Sequence, residues 1–201
     1  MPTFHEIAEY LSTKTVGIAG AGGLGSNCAV ALARTGIGKM IIADFDILVE
    51  SNLNRQYFFY DQIGMEKVIA LKENIKRINP RIIVEVFSER VTPENIMRMY
   101  GKCDVLVEAF DQADQKRMLI EFAMVNMPKT PIVAGSGMAG FGESNSLHVE
   151  KFDNLYICGD GASEVSEINP PLAPRVGIVA NMEANVVLEI LLKELKDGNR
   201  C

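Results

Sequence analysis

The chain lacks any apolar run near the roughly 20 residues that a membrane-spanning helix requires. Its first fifteen residues mix His5, Glu6, Glu9 and Lys14 with apolar positions, which is not the pattern of a signal peptide. A cytoplasmic location with no membrane partner is the expectation. A C-x-x-C pair is also missing: Cys28, Cys103, Cys158 and Cys201 stand far apart, and no histidine flanks any of them. No structural zinc is therefore expected. Cys28 and Cys103 lie in apolar helix and strand contexts and read as buried fillers. Cys158 opens a glycine-containing loop and is a candidate reactive thiol, although nothing beside it in the sequence would lower its pKa. There is no excess of positive charge. The formal net charge of −6 argues against broad nucleic-acid or anionic-membrane binding. His5 and His148 have no partner pattern, and no Ser-His-Asp or Cys-His set is visible. Repeats, low-complexity tracts and linkers are absent too. With 201 residues, 48% of them apolar, one well-cored domain is the natural reading.

What is present is a regular alternation of strand and helix signals. Thr3–Leu11 reads as an amphipathic helix, with Phe4, Ile7, Ala8 and Leu11 at helical spacing. A first βαβ unit then runs to Asp44. Residues Asp46 to Gly64 form a polar and aromatic excursion too long for an ordinary connection, and so a candidate functional loop. Glu66–Ile78 reads as a helix stopped by Asn79-Pro80. Arg81–Phe87 alternates as a strand, and Thr92-Pro93-Glu94 begins a helix. Asp104–Ala109 is an apolar strand, Gln115–Met127 a helix, and Pro131–Ala134 a further strand. Ser146–Phe152 follows as a strand and Gly159–Pro174 as a loop; Val176–Lys196 is a final helix capped by Gly198. This order predicts an α/β, Rossmann-like, doubly wound and mainly parallel sheet with helices on both faces.

Val16-Gly17-Ile18-Ala19 breaks into Gly20-Ala21-Gly22-Gly23-Leu24-Gly25 and continues as an alanine-rich helix. Gly20, Gly22 and Gly25 occupy G-x-G-x-x-G positions between a strand and a helix, where backbone can approach a phosphate held at the helix N-terminus. Met40-Ile41-Ile42-Ala43 ends in Asp44, about 20 residues on, where a carboxylate can accept from ribose hydroxyls. Phe110-Asp111 ends a third strand at the same edge. NAD, FAD and ATP-using folds all share such a turn.

Two cations narrow the choice. Lys67 stands in the first turn of a helix, where its charge opposes the macrodipole at about 0.3–1 kcal/mol. Arg55 offers a planar fork for phosphate oxygens. Together, Gly20–Gly25, Asp44-Phe45-Asp46, Ser51-Asn52-Leu53-Asn54-Arg55-Gln56, Lys67 and Ile78-Asn79-Pro80 resemble the ThiF/MoeB family, the bacterial relatives of ubiquitin-activating enzymes. The resemblance covers nearly the whole chain. Its short length, with Gly135-Ser136-Gly137-Met138-Ala139-Gly140 and Tyr156-Ile157-Cys158-Gly159-Asp160-Gly161, is most similar to the compact ThiF-type branch.

That resemblance implies one adenylation domain over 1–201: an N-terminal helix (1–14), a nucleotide-binding core (15–135), and carrier-tail loops with the C-terminal helix (136–201). It implies ATP and Mg2+ as cofactors and a small ubiquitin-like sulfur carrier ending in Gly-Gly as partner. A homodimer is also implied. The reaction would be adenylation of the carrier's terminal carboxylate in thiamine thiazole formation. By motif, Gly20, Gly22, Gly23 and Gly25 approach the phosphates, and Asp44, with Asp46 beside it, lies at the ribose. Asn52, Arg55 and Lys67 contact phosphates, Gln56 lies near the nucleotide, and Asp111 helps bind magnesium. Arg55, Lys67 and Asp111 are the implied catalytic residues.

The chain departs from the family in having no arginine among residues 1–13, where relatives place one that reaches a neighbouring subunit's ATP. Arg175 is a candidate replacement. That gap leaves open a non-catalytic ATP- or carrier-binding scaffold of the same fold. The glycine turn alone leaves open an NAD-dependent oxidoreductase, which would not explain Arg55 and Lys67. A relative acting on modified tRNA is disfavoured by the acidic balance.

Overall fold

The computed structural model describes residues 2–193 and 195. Its strands are β1 (Thr15–Ala19), β2 (Lys39–Ala43), β3 (Ile83–Phe87), β4 (Val105–Glu108), β5 (Ile132–Gly135), β6 (His148–Phe152) and β7 (Leu155–Gly159). They form a seven-stranded sheet in the order β3-β2-β1-β4-β5-β7-β6. Every neighbouring pair is parallel except β6 with β7. The chain builds outward from β1 through β2 to β3, then returns to place β4 on the other side of β1. That reversal opens a crevice beyond the carboxyl ends of β1 and β4, the usual ligand position in such sheets.

Among the described residues six helices cover the sheet: α1 (Phe4–Leu11), α2 (Gly23–Ala33), α3 (Lys67–Ile78), α4 (Pro93–Tyr100), α5 (Ala113–Asn126) and α6 (Ala173–Leu191). The side-chain period of the strands sorts them into two cores. Val16, Ile18, Met40, Ile42, Val105 and Val107 pack with residues of α2, α3 and α6. Ala19, Ile41, Ala43 and Leu106 face α4 and α5 instead. Helix α2 buries Leu24, Cys28, Ala29, Val30, Leu32 and Ala33, so it is apolar nearly all round. Its extensive contact with α6 on one side and the sheet on the other explains that composition.

Sequence periodicity located most of these elements; β3 and β6 each begin two residues later than expected, at Ile83 and His148, and three further differences stand out. The hairpin partner β7 was not anticipated: Leu155-Tyr156-Ile157 reads as an approach to a loop, but a turn with Asp153 at φ 54° folds it back onto β6. Helix α5 begins two residues before Gln115, at Ala113. Helix α6 begins at Ala173 rather than Val176, because Pro174 suits a first helical turn, where its missing N–H costs nothing. The expected helix end at Lys196 and cap at Gly198 lie outside the described residues. Phe4, read as part of an apolar helix face, is exposed, and Leu11 is the buried anchor of α1. The excursion after Asp44 contains only two short 3-10 turns, Glu50–Asn52 and Tyr60–Gln62, before α3.

The tightest point of the fold is the glycine turn after β1. Gly20 has φ +103°, and its N–H donates to the Ala43 carbonyl at 2.8 Å, tying β1 to the end of β2. A Cβ on Gly25 would fall 1.9 Å from the Gly20 carbonyl oxygen. Gly25→Ala should therefore force the turn apart and destabilise the chain by roughly 1–3 kcal/mol. Urea denaturation checks this, and an unchanged midpoint would refute it.

Candidate functional site

The elements that end at the crevice carry the residues singled out from the sequence. Beyond β2, the Asp44 carboxylate accepts from the Ala21 N–H of the glycine turn at 2.7 Å and from the Asp46 N–H at 2.8 Å. Burial pushes the Asp44 carboxyl up; these two hydrogen bonds and the positive charge of Lys67 oppose that shift. Asp46 is exposed, and its carboxylate holds the buried Lys67 ammonium at 2.6 Å. The Lys67 backbone N–H also donates to the Asp46 carbonyl at 3.0 Å. A lysine at a helix N-terminus, unfavourable by the macrodipole, is thus compensated by a carboxylate.

Arg55 arrives from the excursion. Its Cγ and Cδ would lie 3.6 and 3.7 Å from a Cβ on Gly23, so its stem runs against the glycine turn. The Asn27 side chain of α2 donates to the Arg55 carbonyl at 2.9 Å, which pins this loop to the helix. The guanidinium bonds Asn54 Oδ1 at 2.7 Å. Gln56 is buried, and its Nε2 would lie 3.9 Å from a Cβ on Gly22. Its Oε1 is buried without a hydrogen-bond partner. A buried amide oxygen costs on the order of 1–3 kcal/mol when unpaired, which favours an occupant that donates to it.

Two other sequence candidates stand apart from this network. The Asn52 side chain accepts from the Val49 N–H at 3.1 Å and so shapes the excursion just ahead of Arg55. Asp111 is exposed beyond β4; Ala109 and Phe110, just before it, border Gly20. Among the described residues no group of three or more His, Cys, Asp or Glu side chains could hold a metal. A single carboxylate fits magnesium best when phosphate oxygens and waters complete the shell, which is its habit at nucleotide sites.

Behind the crevice lies a cluster that sequence reasoning missed. Glu108 ends β4, fully buried; its Oε1 accepts from the Phe110 N–H at 2.8 Å and its Oε2 is ion-paired with Lys116. Lys116 also donates to the Gly135 carbonyl at 3.1 Å, linking β4 and β5 through α5. Glu183 on α6 is fully buried and neither carboxyl oxygen has a partner. Burial pushes its carboxyl well up; Lys116 pulls it down and Glu108 pushes it further up. One lysine cannot balance two buried carboxylates, and with Lys116 paired to Glu108 the charge on the unpartnered Glu183 is the one that burial disfavours. The available signals were an acid closing the apolar run Val105-Leu106-Val107 and another amid the apolar positions of α6.

Two candidates left open by the sequence do not fit the geometry. Cys158 is completely buried, and burial, reinforced by Glu183, pushes its thiol up to about 12. It is not an activated thiolate. Arg175 does not reach outward to replace an N-terminal arginine. It is buried and donates to the Gly142 carbonyl at 2.5 Å and to Asp160 Oδ2 at 2.6 Å. Burial works against charge on Asp160, but hydrogen bonds from Ser163, Ala162 and Arg175 outweigh it and hold the carboxyl well below the usual range. Arg175 is a clamp for the loops ahead of α6.

Comparison with known proteins places this geometry. The ThiF family model matches residues 3–200. The chain is 31% identical over 188 residues to an adenylyltransferase and sulfurtransferase UBA4 from Eremothecium gossypii, covering 90% of this chain and 42% of that protein. It is 37% identical over 192 residues to the tRNA threonylcarbamoyladenosine dehydratase of Escherichia coli, covering 92% of this chain and 69% of that one. The chain thus spans less than half the length of the UBA4 protein. A crystal structure of the Escherichia coli dehydratase in complex with AMP superposes with a TM-score of 0.85 at 22% identity, over 94% of this chain and 90% of that chain. At that identity the superposition establishes the fold.

Because Glu183 binds its proton more tightly folded than unfolded, its contribution to stability falls as pH climbs from the ordinary carboxyl value of about 4.3 toward its raised one. Glu183→Gln removes that loss. The variant should match the parent near pH 4 and become increasingly more stable than it toward pH 8, read from denaturant midpoints across the range. A variant weaker than the parent at every pH would mean that the carboxylate is ionised and paired.

Proposed function

The chain belongs to the ThiF family, and on that premise we propose that it is an ATP-dependent adenylyltransferase. Its substrate in this reading is the C-terminal Gly-Gly carboxylate of a small ubiquitin-like sulfur carrier, in the formation of the thiamine thiazole. The observation that carries the reading is the convergence on one glycine turn of the Arg55 stem against Gly23 and the unpaired Gln56 amide beside Gly22. Asp44 joins them by accepting from the Ala21 N–H. Phosphate, cation and ribose functions are thereby available within one crevice.

The chemistry asks little of the protein in proton transfer. A C-terminal carboxylate has a pKa near about 3.5 and is ionised at neutral pH, so no general base is needed. Its oxygen attacks the α-phosphorus; the new O–P bond makes a mixed carboxylic–phosphoric anhydride, the acyl-adenylate, and the bond from the α-phosphorus to pyrophosphate breaks. The obstacle is the approach of an anion to a polyanion, followed by charge growth on the departing pyrophosphate. Arg55 and Lys67 are the cations placed to counter it, and the free N–H groups at the start of α2 add to them. Lys67 reaches phosphate by leaving Asp46, so the ion pair holds the ammonium in position until nucleotide arrives. Magnesium, when bound, would neutralise phosphate charge, and Asp111 is the residue here that would hold it. Asp44 is the ribose acceptor in this scheme, its carboxylate already oriented by two backbone donors. A homodimer and a cytoplasmic setting accompany the reading. Among the described residues no helix is long and apolar enough to cross a membrane.

A second reading has its own support, the 37% identity to the Escherichia coli tRNA threonylcarbamoyladenosine dehydratase. The same crevice could activate a carboxylate borne on tRNA. The net charge of −6 favours a protein over a polyanion as partner.

ATP–pyrophosphate exchange separates the two. Exchange supported by Gly-Gly-ended carriers, and not by tRNA bearing the carboxylated adenosine, supports the first reading; the reverse result replaces it with the second. Within the first, Lys67→Ala and Arg55→Ala should each lower the exchange rate by about 10²–10³, the usual cost of removing a transition-state charge contact. Full activity in both variants would remove the phosphate role assigned to them.

A further inference from the structure

A chain of buried polar groups runs from the glycine turn to α3, outside the residues already assigned to the crevice. The Ser26 hydroxyl of α2, fully buried, donates to the Gly22 carbonyl at 2.6 Å and accepts from the Tyr57 N–H at 2.9 Å. The Tyr57 carbonyl accepts in turn from Asn74 Nδ2 at 3.1 Å. Asn74 lies on α3 and is 2% exposed. It forms a reciprocal amide pair with Gln62: its Nδ2 donates to Gln62 Oε1 at 3.0 Å, and Gln62 Nε2 donates to Asn74 Oδ1 at 2.9 Å. Gln62 is buried as well; its Nε2 also donates to the Ala70 carbonyl at 3.4 Å, and its Oε1 accepts from the Phe59 N–H at 3.1 Å. Every N–H of the two amides is thereby used within the protein.

The core alone does not call for this pair. Asn74 stands between Leu71 and Ile75, both fully buried, in a helical register where apolar side chains pack inward. Replacing two buried, mutually bonded amides by apolar side chains of similar shape is nearly neutral for a fold. An apolar pair would not supply the bond to the Tyr57 carbonyl. Tyr57 follows directly on Arg55 and Gln56, the two residues of the excursion that border the glycine turn. Their backbone is tied on both sides: to α2 through Asn27, at the Arg55 carbonyl, and through Ser26; to α3 through Asn74. In contrast to the two satisfied amides, Gln56 keeps its Oε1 buried without a partner. Backbone held from two helices keeps that side chain from moving off to find one.

We propose that Asn74, oriented by Gln62, is a positioning residue for the nucleotide crevice: through the Tyr57 carbonyl it holds Arg55 and Gln56 against the glycine turn. The proposal rests on the reading of the crevice as an ATP site and adds to it the buried element that preorganises that site. Neither amide touches the nucleotide in this scheme. Each acts only through the backbone that carries Arg55 and Gln56. Groups set in place beforehand need no rearrangement when charge arrives, and misplacing one by about 1 Å costs on the order of 10²-fold in rate.

The test is a mutant cycle read on ATP affinity, by equilibrium dialysis of the full chain with ATP alone, so that no acyl substrate enters it. Asn74→Leu should weaken ATP binding about tenfold in the parent chain and leave it unchanged in the Arg55→Ala, Gln56→Ala background, because it acts through those two residues. Thermal melts separate positioning from packing. The double variant Gln62→Met, Asn74→Leu, with both amides made apolar, should melt closer to the parent than Asn74→Leu does, yet bind ATP no better. Should Asn74→Leu not fold, that double variant carries the cycle in its place. Binding that recovers together with the melting temperature overturns the proposal. So does an unchanged affinity in the parent background, or an equal loss in both backgrounds. If the parent binds ATP but exchanges pyrophosphate with no carrier, adenylation fails while the cycle still decides the positioning role. A parent that binds no ATP overturns the reading of the crevice and the proposal with it.

Discussion

The crevice depends on one carboxylate that is short of water. Asp44 gives up part of its hydration, and two backbone N–H groups, from Ala21 and Asp46, restore part of what is lost. Each hydrogen bond to a charged group contributes about 1.5–3 kcal/mol, enough to hold a half-buried acid in a defined place. Because Ala21 belongs to the turn after β1 and Asp46 to the chain leaving β2, the same carboxylate fixes the relative height of two strand ends. Asp46 carries the constraint onward through its ion pair to Lys67 and thus to the start of α3. Turn, strand ends and cation form one connected piece, and the excursion bearing Arg55 is fastened to it by Asn27.

Charge is arranged differently on the two sides of that piece. At the mouth, the cations Lys67 and Arg55 are paired with an exposed carboxylate and an amide. Behind it, Glu108 is ion-paired with Lys116, and burial raises the carboxyl of the unpartnered Glu183. A buried ion pair adds little net stability compared with an apolar pair of similar volume, but breaking one partner is costly. Here the pair also spans β4, α5 and β5, so it sets the spacing of the strands on which the crevice opens.

How much of this was legible follows from the physics of each signal. Two-residue and 3.6-residue periodicities are local, so β1 to β5 and the helices were located to within a few residues. The glycine turn was legible because Gly20 and Gly25 answer steric demands that a side chain would violate at once. The hairpin of β6 and β7 was read as one strand and a loop, because Leu155-Tyr156-Ile157 is short, half-buried and followed by glycines. Arg175, Asp160 and Glu183 were illegible for a different reason. Their roles are defined by contacts across 15 to 33 residues or by the absence of any contact, and neither leaves a spacing in the chain. Lys67 shows the intermediate case: its conflict with the helix dipole marked it from sequence, yet only the fold identified Asp46 as what answers it.

The reversed strand at the sheet's end bears on how the molecule behaves in solution. β6 is exposed along its whole length and lies outermost, so one row of its backbone donors and acceptors faces water. An open border of this kind invites strand addition between molecules, the first step toward ordered aggregates. His148, Glu150 and Lys151 occupy three of its five positions. Any chain that zipped onto it would have to dehydrate these ionic groups. The border thus carries its own obstacle to pairing, in side chains rather than in a covering element.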